Sequence, residues 1–211
     1  MIIGGGGYFL ELHEYIESDI KTGVLSEVSI KGVLDDKRLL LSNGVPYLGP
    51  VASYVPKEND VFIIAIGNVN YRSDIYTDLK SKGAKFISYV HPSSIVSKSA
   101  ILGEGCIVCP MSIINANAVL GSNVSINVNV SIGHGASVGS HSVLSPYSAL
   151  NGDASVGEKV FIGTRSTVFP CVDVGADTVV DSHTAVRKTA GPKLLLSDRA
   201  NFVSVNNRFL R

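Results

Sequence analysis

Sixteen aliphatic residues stand six positions apart, without a slip, from Val96 through Leu102, Val108 and Ile114 to Val180 and Val186. A period of six fits neither a helix nor a plain strand alternation. It is the spacing of a hexapeptide repeat, in which short strands stack around a prism as a parallel β-helix. Four residues after each of these rungs comes a small or β-branched residue: Ala100, Cys106, Ser112, Ala118, Val124, Val130 and onward to Thr184. The position just after a rung is often Gly or Asn, as at Gly103, Asn115, Gly121, Asn127 and Gly133. The rung is expected to point inward, the small residue to fill space beside the next corner, and Gly or Asn to tolerate a tight backbone. With three units closing a coil of about eighteen residues, the ladder predicts about five coils. The open end coils need caps.

Before this ladder the pattern is different. Ile2 and Ile3 run into Gly4-Gly5-Gly6-Gly7, and apolar residues then recur at helical spacing from Tyr8 to Ile20. Val28 to Leu34 reads as a strand ending in Asp35-Asp36, and Val61 to Ile66 as a strand ending in Gly67-Asn68. Asn70 to Lys82 reads as a helix and Phe86 to Val90 as a last strand. Strands alternating with helices predict a small, Rossmann-like α/β domain with a parallel sheet over residues 1–90. His91-Pro92 leads into a β-helix domain over 91–190, and residues 191–211 are left as a tail. In that tail Leu194, Leu195, Leu196, Phe202, Val203 and Phe209 are apolar enough to cap the last coil.

A glycine run between a first strand and a first helix lets the backbone approach a phosphate at the positive end of the helix. Asp35 and Asp36 end the second strand, where an acid meets a ribose or base; the alternative reading is a turn-forming acidic pair. The three-glycine dinucleotide spacing is incomplete, since Tyr8 and Phe9 follow Gly7 at once. A domain of about ninety residues is also only half a dinucleotide fold, which favours a nucleotide over a nicotinamide cofactor.

Charge and composition exclude several classes. With 18 Lys and Arg against 18 Asp and Glu there is no basic patch for nucleic acid. No run approaches the roughly twenty apolar residues of a membrane span, and the N-terminus lacks the charged and apolar regions of a signal peptide. A cytoplasmic protein with no membrane partner is expected. Cys106 belongs to the small inward column, so its spacing from Cys109 reads as packing rather than as a metal or redox pair. His13, His91, His134, His141 and His183 lack the five-residue spacing of a β-helix carbonic anhydrase, and no metal is expected.

The segments Ile3-Gly4-Gly5-Gly6-Gly7, Gly32-Val33-Leu34-Asp35-Asp36, Ile64-Ala65-Ile66-Gly67-Asn68 and Val90-His91-Pro92, continued by Ile132-Gly133-His134, Val156-Gly157 and Ile162-Gly163, form a specific combination. From residue 1 to about 188 the chain resembles the sugar O- and N-acetyltransferase family of left-handed β-helix proteins. That family includes sialic acid O-acetyltransferases and N-acetyltransferases of UDP-4-amino-4,6-dideoxy sugars or GDP-perosamine. The resemblance implies a homotrimer packed along its β-helices, with acetyl-CoA in the groove between neighbours and a UDP- or GDP-linked amino sugar on the N-terminal domain. Carried over by position, it implies that Gly5, Gly6 and Gly7 meet phosphates and that Asp35 or Asp36 meets the base or ribose. Gly67 and Asn68 belong to the same substrate site. His134 falls on the catalytic histidine, and Gly152 on a glycine that approaches the CoA arm; His141, Arg165 and Ser182 are further acetyl-CoA candidates.

His134 suits the role chemically. It stands two positions past the rung Ile132, so its side chain is expected to leave the prism. An imidazole titrating near neutrality can take the proton of an attacking amine or hydroxyl and return it to the departing thiol. A backbone N–H facing the groove would serve the oxyanion. No acyl-enzyme is needed, so none of the cysteines is required as nucleophile.

The chain also departs from the family pattern. Gly135 stands where an acid often follows the histidine, and Val143 where a second histidine is common. Arg165 and Asp181-Ser182-His183 replace small corner residues, so these corners either narrow the CoA channel or, with Arg187 and Lys188, grip its phosphates. Asn115, Asn117, Asn127 and Asn129 are candidates to support the imidazole in place of the missing acid. Three readings follow: an N-acetyltransferase of a nucleotide-linked 4-amino sugar, an O-acetyltransferase of sialic acid type, and a non-catalytic nucleotide-sugar-binding trimer.

Overall fold

The computed structural model describes residues 1–37 and 44–198. Its first elements are β1 (Ile2–Ile3), α1 (Gly7–Lys21), β2 (Val33–Leu34), β3 (Val61–Ile64), α2 (Val69–Ser81) and β4 (Lys85–Phe86). The four strands form one parallel sheet in the order β2-β1-β3-β4. Ile2 and Ile3 stand opposite Val33 and Leu34 on one side and opposite Ile63 and Ile64 on the other.

Alternation along these short strands sends their side chains to both faces of the sheet. Ile2, Val33 and Ile63 pack with Phe9, Leu12 and Ile16 of α1. Ile3, Leu34, Phe62 and Ile64 pack with Leu79 and Phe86 on the other face. The result is a sheet covered on both sides, whose chain direction of travel reverses between β1 and β3. The expected strand at Val28–Leu34 contracts to β2, because only Val33 and Leu34 find a partner in β1.

The rest of the chain is a parallel solenoid of three faces holding seven, six and five strands, about six turns. The first face runs from Tyr89–Val90 through Ile107–Val108, Ser125–Ile126, Val143–Leu144, Phe161–Ile162 and Val179–Val180 to Leu195–Leu196. The second runs from Ile95–Val96 to Ala185–Val186, and the third from Ile101–Leu102 to Asp173–Val174. Leu120 pairs with Leu102 below and Val138 above, so one turn is 18 residues.

This corrects the expected five coils. Val90 lies six before Val96 and is itself a rung, paired with Val108. The anticipated strand Phe86–Val90 is therefore two: Lys85–Phe86 closes the α/β sheet and Tyr89–Val90 opens the solenoid. At the far end the next ladder position would be Pro192, which breaks the repeat, yet Leu195–Leu196 still pairs with Val179–Val180. Of the tail residues, Phe202, Val203 and Phe209 lie outside the described residues.

Inside the prism the rungs from Val108 to Val186 form one buried column, interleaved with Ala118, Val124, Val130, Ala136, Ala154 and Val160. Each such aliphatic side chain contributes about 1.5–3 kcal/mol on burial. The serines of the small column are satisfied by backbone: Ser112, Ser142 and Ser166 donate to the carbonyls of Asn127, Gly157 and Asp181 at 2.6–2.9 Å.

The glycines after the rungs serve a different purpose from the one expected. A Cβ on Gly103 or Gly133 would stand 2.5–2.6 Å from the backbone of the next coil, so they permit close stacking. The left-handed residues fall two positions later, every six from Met111 to His183 at φ of 53–65°. Side chains are strained there by roughly 1–2 kcal/mol each. The corner amides compensate by bonding across coils, as Asn129 N–H does to Pro110 O and Lys159 N–H to Ser140 O.

Candidate functional site

The two units meet along the first face and the edge between the third and first faces. Ile2, Phe9 and Ile63 share a cluster with Tyr89, Ile107 and Cys109. Tyr8 Oη lies 2.8 Å from Ser125 Oγ. Arg72 of α2 is fully buried between the units. It donates to the carbonyls of Ile64 and Ile66 and to both Asn123 O and Asn123 Oδ1, at 2.8–2.9 Å. Burial lowers its pKa to about 10, and carbonyl dipoles supply the stabilisation that a carboxylate would otherwise give.

A cavity of about 680 Å³ opens at the C-terminal ends of β1, β2 and β3, the point where an open α/β sheet reverses its order and takes ligands. Gly5, Gly6, Gly7, Asp35, Asp36 and Gly67 all line it, with Lys37, Tyr8 and Tyr71. Gly4 is fixed there by packing: it sits at φ 91°, and a Cβ would lie 2.5 Å from Ile66 Cγ1. Asp35 has a structural share in the loop, since its carboxylate accepts from the amides of Gly5 and Lys37 at 2.8 Å. Asp36 accepts from Val51 N–H at 2.9 Å. Asn68 is placed differently from the glycines: its Oδ1 accepts from the amides of Asn70 and Tyr71 and caps α2.

His134 leaves the prism as expected, at the edge between the second and third faces, with its side chain 74 % exposed. Its neighbour one coil on is the segment Gly152-Asp153. A Cβ on Gly152 would lie 2.7 Å from His134 Nε2, so this glycine makes the bed on which the imidazole rests. Asp153 brings a carboxylate oxygen to 3.9 Å from the same nitrogen. The asparagines that sequence offered as supports are occupied otherwise: Asn115 Nδ2 bonds Ile132 O, Asn127 Oδ1 accepts from Val128 N–H, and Asn117 and Asn129 hold left-handed corners.

The remaining acetyl-CoA candidates are spread over the prism. Arg165 and Ser182 stand on the edge between the first and second faces, both exposed. There the Arg165 guanidinium lies 5.3 Å above the Tyr147 ring. His141 is on the third edge, half-buried under α2, with Nδ1 3.0 Å from Asn123 Nδ2 and its ring 5.2 Å from that of Tyr76. Burial and the Arg72 charge lower its pKa. Within one chain, then, only Gly152 of this group shares an edge with His134. Among the described residues no three His, Cys, Asp or Glu side chains gather as a metal site, and no helix is long and apolar enough to cross a membrane.

Sequence reasoning missed Asp153 and the Arg72–Asn123 link. The signal for the first was available, because residues 18 apart stack and Gly135 lies 18 before Asp153. The second joins an α/β helix to a solenoid corner 51 residues away, which no period announces.

Residues 1–79 match the family model of the PglD N-terminal domain. A UDP-N-acetylbacillosamine N-acetyltransferase of Bacillus subtilis is 35% identical over 112 residues, 51% of this chain and 49% of that protein. The match therefore spans about half the length of this curated relative. A variant of perosamine N-acetyltransferase from Caulobacter crescentus, solved with CoA and GDP-perosamine, aligns with a TM-score of 0.80 at 29% identity, over 92% of this chain and 90% of that one. The acetyltransferase domain of PglB from Neisseria gonorrhoeae has the same fold, with a TM-score of 0.83 over 92% and 93% of the two chains at 24% identity.

Proposed function

From the similarity to sugar N-acetyltransferases of the hexapeptide β-helix type, we propose that this chain is an acetyl-CoA-dependent N-acetyltransferase. Its acceptor is the amine of a nucleotide-linked 4-amino-dideoxy sugar. One observation carries the reading: the likeness to an enzyme bound to CoA and GDP-perosamine extends over 92% of this chain, both units included. The local chemistry agrees with it. A cavity of about 680 Å³ is of the size that holds a small ligand, and an exposed imidazole stands on the solenoid edge.

In this reading residues 1–90 are a Rossmann-like nucleotide-sugar domain, 91–190 the acyltransferase domain and 191–211 a cap. Gly6 and Gly7 offer backbone to the phosphates, while Gly5 N–H is held by Asp35. The assembly is a homotrimer. Pairing the His134 edge of one copy with the Arg165–Ser182 edge of the next explains how residues from different edges share one acetyl-CoA groove. The exposed Ile95, Ile101, Ile113 and Val119 on the second and third faces supply apolar surface for such packing.

The reaction needs one proton carrier. His134 takes a proton as the sugar amine attacks the acetyl carbonyl, the new C–N bond forms, and the C–S bond breaks. The imidazolium then returns the proton to the departing thiolate. No protein-bound acyl group forms.

The test is thiol release from acetyl-CoA in the presence of UDP- and GDP-linked 4-amino-4,6-dideoxy sugars. Release that depends on the amino sugar supports the reading. No release with either nucleotide series, in protein that binds UDP or GDP, favours a binding protein; release only with hydroxyl acceptors moves the activity to O-acetylation.

A further inference from the structure

The corner that carries His134 has a glycine facing the carboxylate of the next coil, and from that arrangement we infer that Asp153 is a positioning residue for the His134 imidazole. The inference rests on His134 acting as general base. The left-handed corner recurs every six residues from Gly105 to His183, and glycine holds it at Gly105, where the solenoid begins, and again at Gly135. At Gly135 the reason lies one coil further on. A Cβ at position 135 would run into the Asp153 carboxylate, whose oxygen occupies that space. Asp153 is held there by its backbone, since its N–H donates to His134 O at 2.8 Å.

Three residues thus form a niche for the ring. Gly152 clears the floor beneath the imidazole, Gly135 clears the path of the carboxylate, and Asp153 Oδ2 reaches to 3.9 Å from Nε2. That distance is an ion-pair contact, longer than a hydrogen bond. Both side chains are exposed, and a small rotation of either closes the gap. In open water such a pair is weak, and it strengthens when bound substrates exclude water from the edge. Asp153 then holds one ring N–H, fixes the tautomer and stabilises the imidazolium formed when the other nitrogen accepts the amine proton. The sequence places this carboxylate 18 residues after the glycine it displaces, so the support comes from the neighbouring coil and not from the neighbouring residue.

The test measures kcat and KM against pH for wild type, Asp153→Asn and Asp153→Glu. In Asp153→Asn turnover near neutrality is expected to fall roughly tenfold with KM little changed, and Asp153→Glu restores much of it. An Asp153→Asn protein with wild-type kcat across the pH range, alongside an inert His134→Ala protein, overturns this inference alone. Full activity in His134→Ala overturns the general-base reading and this inference with it.

Discussion

The two units of this molecule encode structure in opposite ways. The solenoid is written as a period: each rung pairs with its equivalents 18 residues before and after, so one rule fixes core, register and corner at once. The α/β unit has no such rule. Its strands are two to four residues long and are held by helices on both faces and by a loop network around Asp35 and Asp36. Functional candidates sit differently in each. In the α/β unit they follow from topology, at the strand ends where the sheet order reverses. In the solenoid the candidate is an outward histidine beside a glycine that stands at a left-handed corner between Asn129 and His141.

The sharpest break between the regions is chemical. His134→Ala is expected to lose about 10²–10⁴-fold in turnover, with its denaturation midpoint unchanged, because the side chain is exposed and lies outside the core. Substitution inside the column does the reverse. Ile162→Ala, at a fully buried rung, is expected to cost about 2–5 kcal/mol in denaturant unfolding while the remaining folded protein binds UDP or GDP as the wild type does.

Much of the solenoid was legible because its physics is local and repeated. The rungs and small residues named from spacing alone are the residues of the buried column. Its ends were not, because Val90 was read as part of an α/β strand and Leu195–Leu196 pairs after Pro192 has broken the period. In the α/β unit the glycine run and Asp35-Asp36, which line one cavity, were legible as neighbours because strand ends and acidic turns are local signals. Asn68 was drawn toward the substrate by its neighbour Gly67, yet a polar residue before a helix is as often its cap, and here it is. Contacts between the units, such as Arg72 to Asn123, join stretches with no shared pattern and needed the structure.

That junction gives a third prediction. Arg72→Met removes four hydrogen bonds, two of them between the units, and leaves buried carbonyls unpaired, a loss of about 1–3 kcal/mol. Hydrogen exchange should rise at α2 and around Asn123 more than in the rungs. Uniform protection across both units in this variant would mean that the apolar contacts alone hold them together.

The smallest effect concerns alkaline pH at the same junction. Burial pushes the Cys109 thiol up from 9.0 to about 11. The folded protein thus holds this proton more tightly than the unfolded chain, and the contribution is complete below pH 9 and is lost as pH rises towards 11. Cys109→Ala should flatten the fall in stability over that window. At pH 8 an alkylating reagent should modify the exposed Cys171 and leave Cys106 and Cys109, both buried, unreacted.

The central claim is that one unit holds the nucleotide and the other performs the transfer. Calorimetric titration of the His134→Ala protein with UDP and with GDP tests this most directly, beside the wild type. The account predicts that at least one nucleotide binds and that its affinity is the same in both proteins, although the variant no longer transfers acetyl. Loss of nucleotide binding on removal of His134, or no binding of either nucleotide to the wild type, would contradict it.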